Sequence, residues 1–491
     1  MARAEATPDA GPKLDEHDTK AEPRDEEREQ TPDEKSDHVG LPGTGEEKPP
    51  EPENVTPVQP VELPDFVQDH LPQPVVDVMQ GAADQMASSR APPNKLLYGI
   101  FGLPRSRFGT GTSWLPDASP LNEAVPHLGK WGLMIHGNLY TGYNYYNSDR
   151  GGQRFMGRNT LMGALFRTFE KSEVLLRLAM SFEPLTIGPK GYPQILQTGQ
   201  TANGNRIHDK QYALDFFREV AAMYSWEVTR NWAGTVYAAL AGEPALGPVT
   251  FTQRVSASAD PLAPLSFQAQ EASHTSFGVL TVGAHTRTLK LEASWFNGEV
   301  PGNHRFTLAI RKPDSYALRI NWNPGSHWSG QISYGFLEHP VPSDPHHQHR
   351  TSASMSYTNW TAGDAGLAVT LSFAERIDTN LDSSASIMLE SYWNLNGHHA
   401  VFGRGELLQK SGKDLVLSNP GSELYAVGSV ATGYIYYFGP FITLSPGIGA
   451  RVSINPMEND LKRDYGTQCA FGGMVFAQLR TSALPVPTRQ P

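Results

Sequence analysis

Three groups of residues in this chain have types and spacings that chemistry uses. His339, His346, His347 and His349 crowd one short stretch, and imidazoles this close suit a borderline metal once the backbone fixes them. The intervening Val341–Pro345 run offers no fixed geometry, so a solvated loop is the favoured reading. Asp378, Asn380 and Asp382 have the oxygen-ligand spacing of a calcium loop. Ser383, however, stands where such a loop needs glycine, and Leu389 where it needs a bidentate glutamate. No metal and no cofactor is expected. The third group is an echo: Glu183-Pro-Leu-Thr-Ile-Gly-Pro189 and Glu243-Pro-Ala-Leu-Gly-Pro248. Proline cannot continue a strand ladder and glycine permits a sharp fold, so each motif stops a strand and opens a loop.

Enzyme signatures are missing. No G-x-S-x-G elbow, H-E-x-x-H or P-loop occurs. His136 and His285 are the histidines that a surface-acting enzyme would draw on, and a plain wall position is favoured for both. The reading is not an enzyme.

Elements must position these residues, and composition narrows which ones. The 491 residues include 46 Gly, 21 Phe, 18 Tyr and 9 Trp, a mixture that favours β architecture. No apolar run approaches the length of a membrane helix. The net charge is −11, and residues 1–60 hold 17 Asp+Glu against 7 Lys+Arg, so nearly all of the excess lies there. That Pro-rich acidic stretch buries too little apolar surface to offset its ordering entropy and should be disordered. Met1–Ala10 lacks an apolar core, so no signal peptide is visible there. The body is near neutral, which argues against a nucleic-acid partner. The single Cys469 excludes an intrachain disulfide. A short helix is expected around 74–89.

From Trp131 onward the hydrophobic period is two. Val174, Leu176, Leu178 and Met180 alternate with Glu173, Leu175, Arg177 and Ala179; Tyr316, Leu318, Ile320 and Trp322 alternate with Ala317, Arg319 and Asn321. A strand puts each set on one face, whereas a helix would scatter it. About sixteen such segments are legible, the one near 221 being ambiguous with helix, and Pro446 implies a bulge. Their connections alternate: Phe169–Ser172, Thr229–Asn231 and Thr286–Thr288 are short, whereas Pro184–Lys210, Ala241–Ser273 and Gly298–Ser315 are long. Long loops of one parity are the mark of a transmembrane barrel, with short periplasmic turns and longer outer loops.

Several stretches carry a resemblance. Gly111-Thr-Ser-Trp-Leu-Pro-Asp-Ala-Ser119, Glu183–Thr186, Gly191-Tyr-Pro193, Leu196-Gln-Thr-Gly199 and Gly242–Pro248 resemble a little-characterised family of bacterial outer-membrane β-barrels, over about residues 108–480. The resemblance implies location and architecture but no substrate. In that family the stretch matching His208–Asp215 is richer in histidine; here His208 stands alone.

The expected fold is thus all-β: an up-and-down antiparallel barrel of about sixteen strands over 131–480. A disordered tail (1–60), a linker with a short helix and a plug segment (61–130) and an extension (481–491) flank it. The bilayer is the expected partner, with a periplasmic or surface protein as another. The expected function is a porin-like channel for small hydrophilic solutes or a specific cargo. Glu173, Arg177, Lys290, Glu292, Arg319, Glu390, Arg404, Glu406 and Arg451 would line it, and Glu183 and Glu243 would mark the constricting loops. Two alternatives are a closed barrel that docks a partner, and a barrel enzyme acting on lipid or surface polymer.

Overall fold

The computed structural model describes residues 68, 72, 73, 76, 80 and 97–482, apart from 126, 203, 204, 272–274, 300–304, 309, 339, 341–345, 361–364, 380–382, 421–423, 440 and 442. The tail 1–60, most of the 74–89 segment and the extension beyond 482 lie outside the described residues, as do His339, Asn380 and Asp382.

Sixteen long strands make the wall. They are β1 Trp131–Asn147, β2 Gly152–Thr168, β3 Ser172–Met180, β4 Phe217–Glu227, β5 Ala233–Gly242 and β6 Ser276–His285. Next come β7 Leu289–Asn297, β8 Ser315–Gly325, β9 Trp328–Leu337, β10 Gln348–Trp360 and β11 Gly366–Asp378. The last five are β12 Ser383–Asn394, β13 His399–Ser411, β14 Leu424–Tyr437, β15 Leu444–Pro456 and β16 Cys469–Thr481. Each pairs antiparallel with its chain neighbour, and β16 closes on β1 from Asn138↔Arg480 to Asn147↔Phe471. Closure leaves no unpaired sheet edge, which is what a bilayer demands of a spanning sheet.

Burial is inverted relative to a soluble protein. On β8, Tyr316, Leu318, Ile320 and Trp322 are 47–53% exposed on the outer face, while Arg319, Asn321 and Asn323 are 1–3% exposed inside. The same alternation runs through β3, β7 and β12. Aromatic side chains mark both rims: Tyr143, Tyr145 and Trp295 at one, Trp322, Trp328 and Trp393 at the other, all exposed. An apolar outer band with aromatic edges is the surface of a transmembrane barrel.

Loop parity holds. The turns at 169–171, 228–232, 286–288 and 326–327 share one rim; the connections 181–216, 243–275 and 298–314 share the other. Two connections at the long-loop rim are short, 148–151 and 379–382. Pro446 makes no bulge: β15 and β16 keep register through Pro446↔Leu479, and pairing to β14 begins only at Gly447. A proline at a strand's start forfeits little of the ladder. Register instead shifts at Ala179/Met180, Ala239/Ala241, Phe277/Leu280 and Trp322/Gly325.

Candidate functional site in a filled lumen

Inward positions on six neighbouring or facing strands carry the charges. Glu173 and Arg177 come from β3, Lys290 and Glu292 from β7, and Arg319 from β8; Glu390 is on β12, Arg404 and Glu406 on β13, Arg451 on β15. All nine are buried. What covers them is the chain itself. Residues 97–125 cover the first five, and the connection 243–275 covers the last four.

The 243–275 loop is charge-locked. Arg254 lies between Glu271, which its Nη1 contacts closely, and Glu390, 2.9 Å from its Nε, with all three side chains at most 1% exposed. Glu390 also accepts from Arg404 at 2.7 Å and from Ser256 Oγ at 2.9 Å. Asp260 meets Arg404 at 3.0 Å and Arg451 at 3.1 Å. Glu406 accepts from the backbone N–H groups of Leu265 and Ser266, at 3.0 and 2.9 Å, and from Ser266 Oγ. Val249, Leu262, Leu265 and Phe267 are buried among the wall and its loops. Gly247 turns this loop at φ +76°, where an added Cβ would lie 2.3 Å from the Gln270 carbonyl oxygen. Only glycine fits there.

The 97–125 segment is held differently. Arg105 binds Glu173 through two hydrogen bonds of 2.8 and 3.1 Å and lies 3.5 Å over the Phe166 ring. Arg107 pairs with Asp117 of its own segment at 2.5 Å and donates to the Arg287 carbonyl. Most of the remaining contacts are to its backbone. Arg177 donates to the carbonyls of Gly109 and Gly111, Lys290 to that of Thr112, Asn323 to that of Leu115 and Ser329 to that of Trp114. Trp114 receives the Arg107 and Lys290 cations on its ring and the His285 edge. The two interior pieces meet where Thr250 N donates to Thr110 Oγ1 at 3.2 Å.

Both Glu-Pro motifs act within the interior. Glu183 opens a one-turn helix, Glu183–Thr186, and its Oε2 accepts the Leu214 N–H at 2.8 Å, with Arg158 4.0 Å away. Glu243 accepts from Thr250 Oγ1 at 3.3 Å and lies 4.0 Å from Arg218. Burial pushes both carboxyls up to about 7 against the pull of those guanidiniums.

The histidines have structural partners. His136 Nδ1 faces the Asn122 carbonyl and His285 Nδ1 that of Thr286; His349 Nδ1 lies 2.7 Å from Tyr334 Oη. Among the described residues no three His, Cys, Asp or Glu side chains converge to hold a metal. The counter-ions Arg105, Asp117, Arg254, Asp260 and Glu271 escape a reading by strand period, because none lies on a strand. Their signal is the Gly111–Ser119 and Gly242–Pro248 motifs, which bracket the turns that bring them inside.

Neither a protein-family model nor a curated protein matches this chain. Solved structures do. An anion-selective porin from Comamonas acidovorans is 11% identical at a TM-score of 0.46, matched over 71% of this chain and 99% of its own. OmpF of Salmonella typhi, in complex with daunomycin, is 10% identical at 0.44, over 71% and 98%. The outer membrane channel DcaP of Acinetobacter baumannii is 8% identical at 0.41, over 71% and 97%. The barrel assignment stands on the strand pairing itself.

Proposed function

We propose that this chain is an outer-membrane barrel of porin-like build that is shut at rest by its own interior, and that it passes small hydrophilic solutes when part of that interior is displaced. One observation carries the reading: residues 97–125 and 243–275 meet at Thr110 and Thr250 and together cover one charged wall, with Arg319 donating to both. The inner face of the wall carries buried charged and hydrogen-bonding side chains, as a solute path requires, beside apolar ones such as Phe166, Phe402 and Phe476. The gathering of short turns at one rim supports assigning that end to the periplasm. Inside the filled lumen the nine wall charges named above each meet an opposite charge or a backbone group, which favours the shut state.

Conductance in planar bilayers tests this. Wild type should open rarely. A double variant lacking 97–118 and carrying a short Gly-Ser bridge in place of 249–268 should conduct steadily. Its folding is checked by a gel mobility that changes on boiling. A folded double variant that stays impermeable overturns the channel reading. The burial of Arg254, Glu390 and Arg404 then favours the second reading, a closed barrel that docks a partner.

A further inference from the structure

We infer that the stretch 97–118, and not the 243–275 loop, is the part of the interior that moves, and that the passage it vacates admits uncharged or zwitterionic polar solutes. This rests on the shut-channel reading and names its moving part and solute class.

The first ground is what each piece would leave behind. Withdrawing the loop would take Arg254, Asp260 and Glu271 away together. Arg451 would lose the Asp260 carboxylate 3.1 Å away, and Glu406 its three loop donors. Groups built to be paired would be stranded. Withdrawing 97–118 strands far less. Arg177 keeps wall Glu219 at 3.5 Å, Lys290 keeps Glu292 at 3.2 Å, and Arg319 keeps Glu292 at 3.0 Å. What they lose is carbonyl and hydroxyl oxygen, which water replaces at small cost. Arg107 leaves with its own partner Asp117. Among the described wall residues named here, Glu173 is the one that loses a counter-ion, Arg105.

The second ground is attachment. The loop is fixed at both ends by β5 and β6, whereas among the described residues the stretch joins a wall strand at one end, through β1. Its anchored end is the packed end. Leu121 and Val125 sit in one apolar cluster with Met134, Phe166 and Leu175, and Ala124 exchanges backbone hydrogen bonds with Ile135 of β1. Residues 119–125 therefore serve as a fixed root. At the far end, Gly99–Gly102 borders a cavity of about 540 Å³ at the short-turn rim, beside Glu170, Glu227, Arg230 and Arg287. A stretch released from the wall would leave on that side.

Selectivity follows from the strip uncovered. Glu173, Glu219, Glu243 and Glu292 stand against Arg177, Arg218, Lys290 and Arg319, so these uncovered charges balance and neither ion sign accumulates strongly. Asn321, Asn323 and Gln331 supply neutral hydrogen-bonding positions beside them.

Two disulfide locks in a Cys469→Ser background test this. Thr110→Cys with Thr250→Cys, whose hydroxyl oxygens lie 3.4 Å apart, ties the stretch to the loop. Ser256→Cys with Thr370→Cys, 2.8 Å apart, ties the loop to β11. Oxidation of the first pair should abolish openings, and reduction should restore them; oxidation of the second should leave them unchanged. Deleting 97–118 alone should give a folded, steadily open barrel whose cation-to-anion permeability ratio is near unity. Openings that survive the first lock and vanish under the second overturn the inference. So does a folded 97–118 deletion that stays closed while replacement of 249–268 opens the barrel, a result that leaves the shut-channel reading standing. A strong preference for either ion sign overturns the solute class. If neither deletion nor their combination conducts, the channel reading falls with it.

Discussion

Arg254 shows how single residues carry this interior. Its guanidinium joins Glu271 of the loop to Glu390 of the wall, and all three side chains are out of water. Arg254→Met would leave Glu271 without its guanidinium and Glu390 sharing Arg404 with Asp260, and it should destabilise the folded barrel by about 3–5 kcal/mol, read from guanidinium unfolding in lipid. Adding Glu271→Leu should recover part of that loss, because one orphaned charge goes with it. On the outer face the sign of a charge matters less than its depth. Leu178→Arg, on the lipid side of β3, should cost about 2–4 kcal/mol near the midplane. Ala179 faces inward, and a wet lumen would make arginine there cheap. The interior at Ala179 is filled, its side chain 4% exposed, so Ala179→Arg should also destabilise, by about 1–3 kcal/mol through overpacking.

At the scale of elements, the interior pieces carry carboxyls that respond to pH. Burial holds Glu123, Glu183 and Glu243 at about 7, against an ordinary value of 4.5. Arg177 and Arg105 face Glu123, and Arg158 and Arg218 face Glu183. Arg218, Glu219 and Glu271 face Glu243. Desolvation outweighs these neighbours. The sign follows from proton counts: between pH 4.5 and about 7 the unfolded chain has released protons that the folded interior still holds. Stability therefore falls as pH rises through that window and stays lower above it. The unfolding midpoint should be higher at about pH 5.5 than at about pH 8, and the Glu123→Gln, Glu183→Gln, Glu243→Gln variant should flatten the difference. Gly247→Ala tests the loop's turn by backbone alone. With φ at +76° and a carbonyl oxygen 2.3 Å from the new methyl, it should cost about 1–3 kcal/mol.

The described residues form a closed wall wrapped around part of their own chain, and that construction predicts bulk behaviour. Protein extracted in detergent should migrate faster unboiled than boiled, since a closed sheet unravels only by breaking a complete ladder. Its far-ultraviolet circular dichroism should be dominated by strand. Recovery as a stable monomer without detergent would contradict the exposed apolar band. Removing 97–118 should leave this heat-modifiable behaviour intact, because no wall strand pairs through that stretch. Loss of the folded band on that deletion would mean that the interior is needed to close the wall.

The sixteen strands were legible because a strand's period of two writes its environment into every second residue. Tyr316, Leu318, Ile320 and Trp322 declare one face and Arg319 the other, whichever strand lies next door. Proline and glycine at the Glu-Pro motifs likewise announced where strands stop. Even the segment around 221, ambiguous by itself, becomes β4 once its neighbours need a partner. Sequence alone identified wall positions such as Glu390 and Arg451 but left open what they face, since period records orientation and not occupancy. Tertiary structure decided that. Arg254 reaches Glu390 across 136 positions and Arg319 reaches Thr112 across 207. Such contacts have no local signature: they depend on how turns fold non-strand chain into a cylinder, and only the closed barrel brings them within hydrogen-bonding distance.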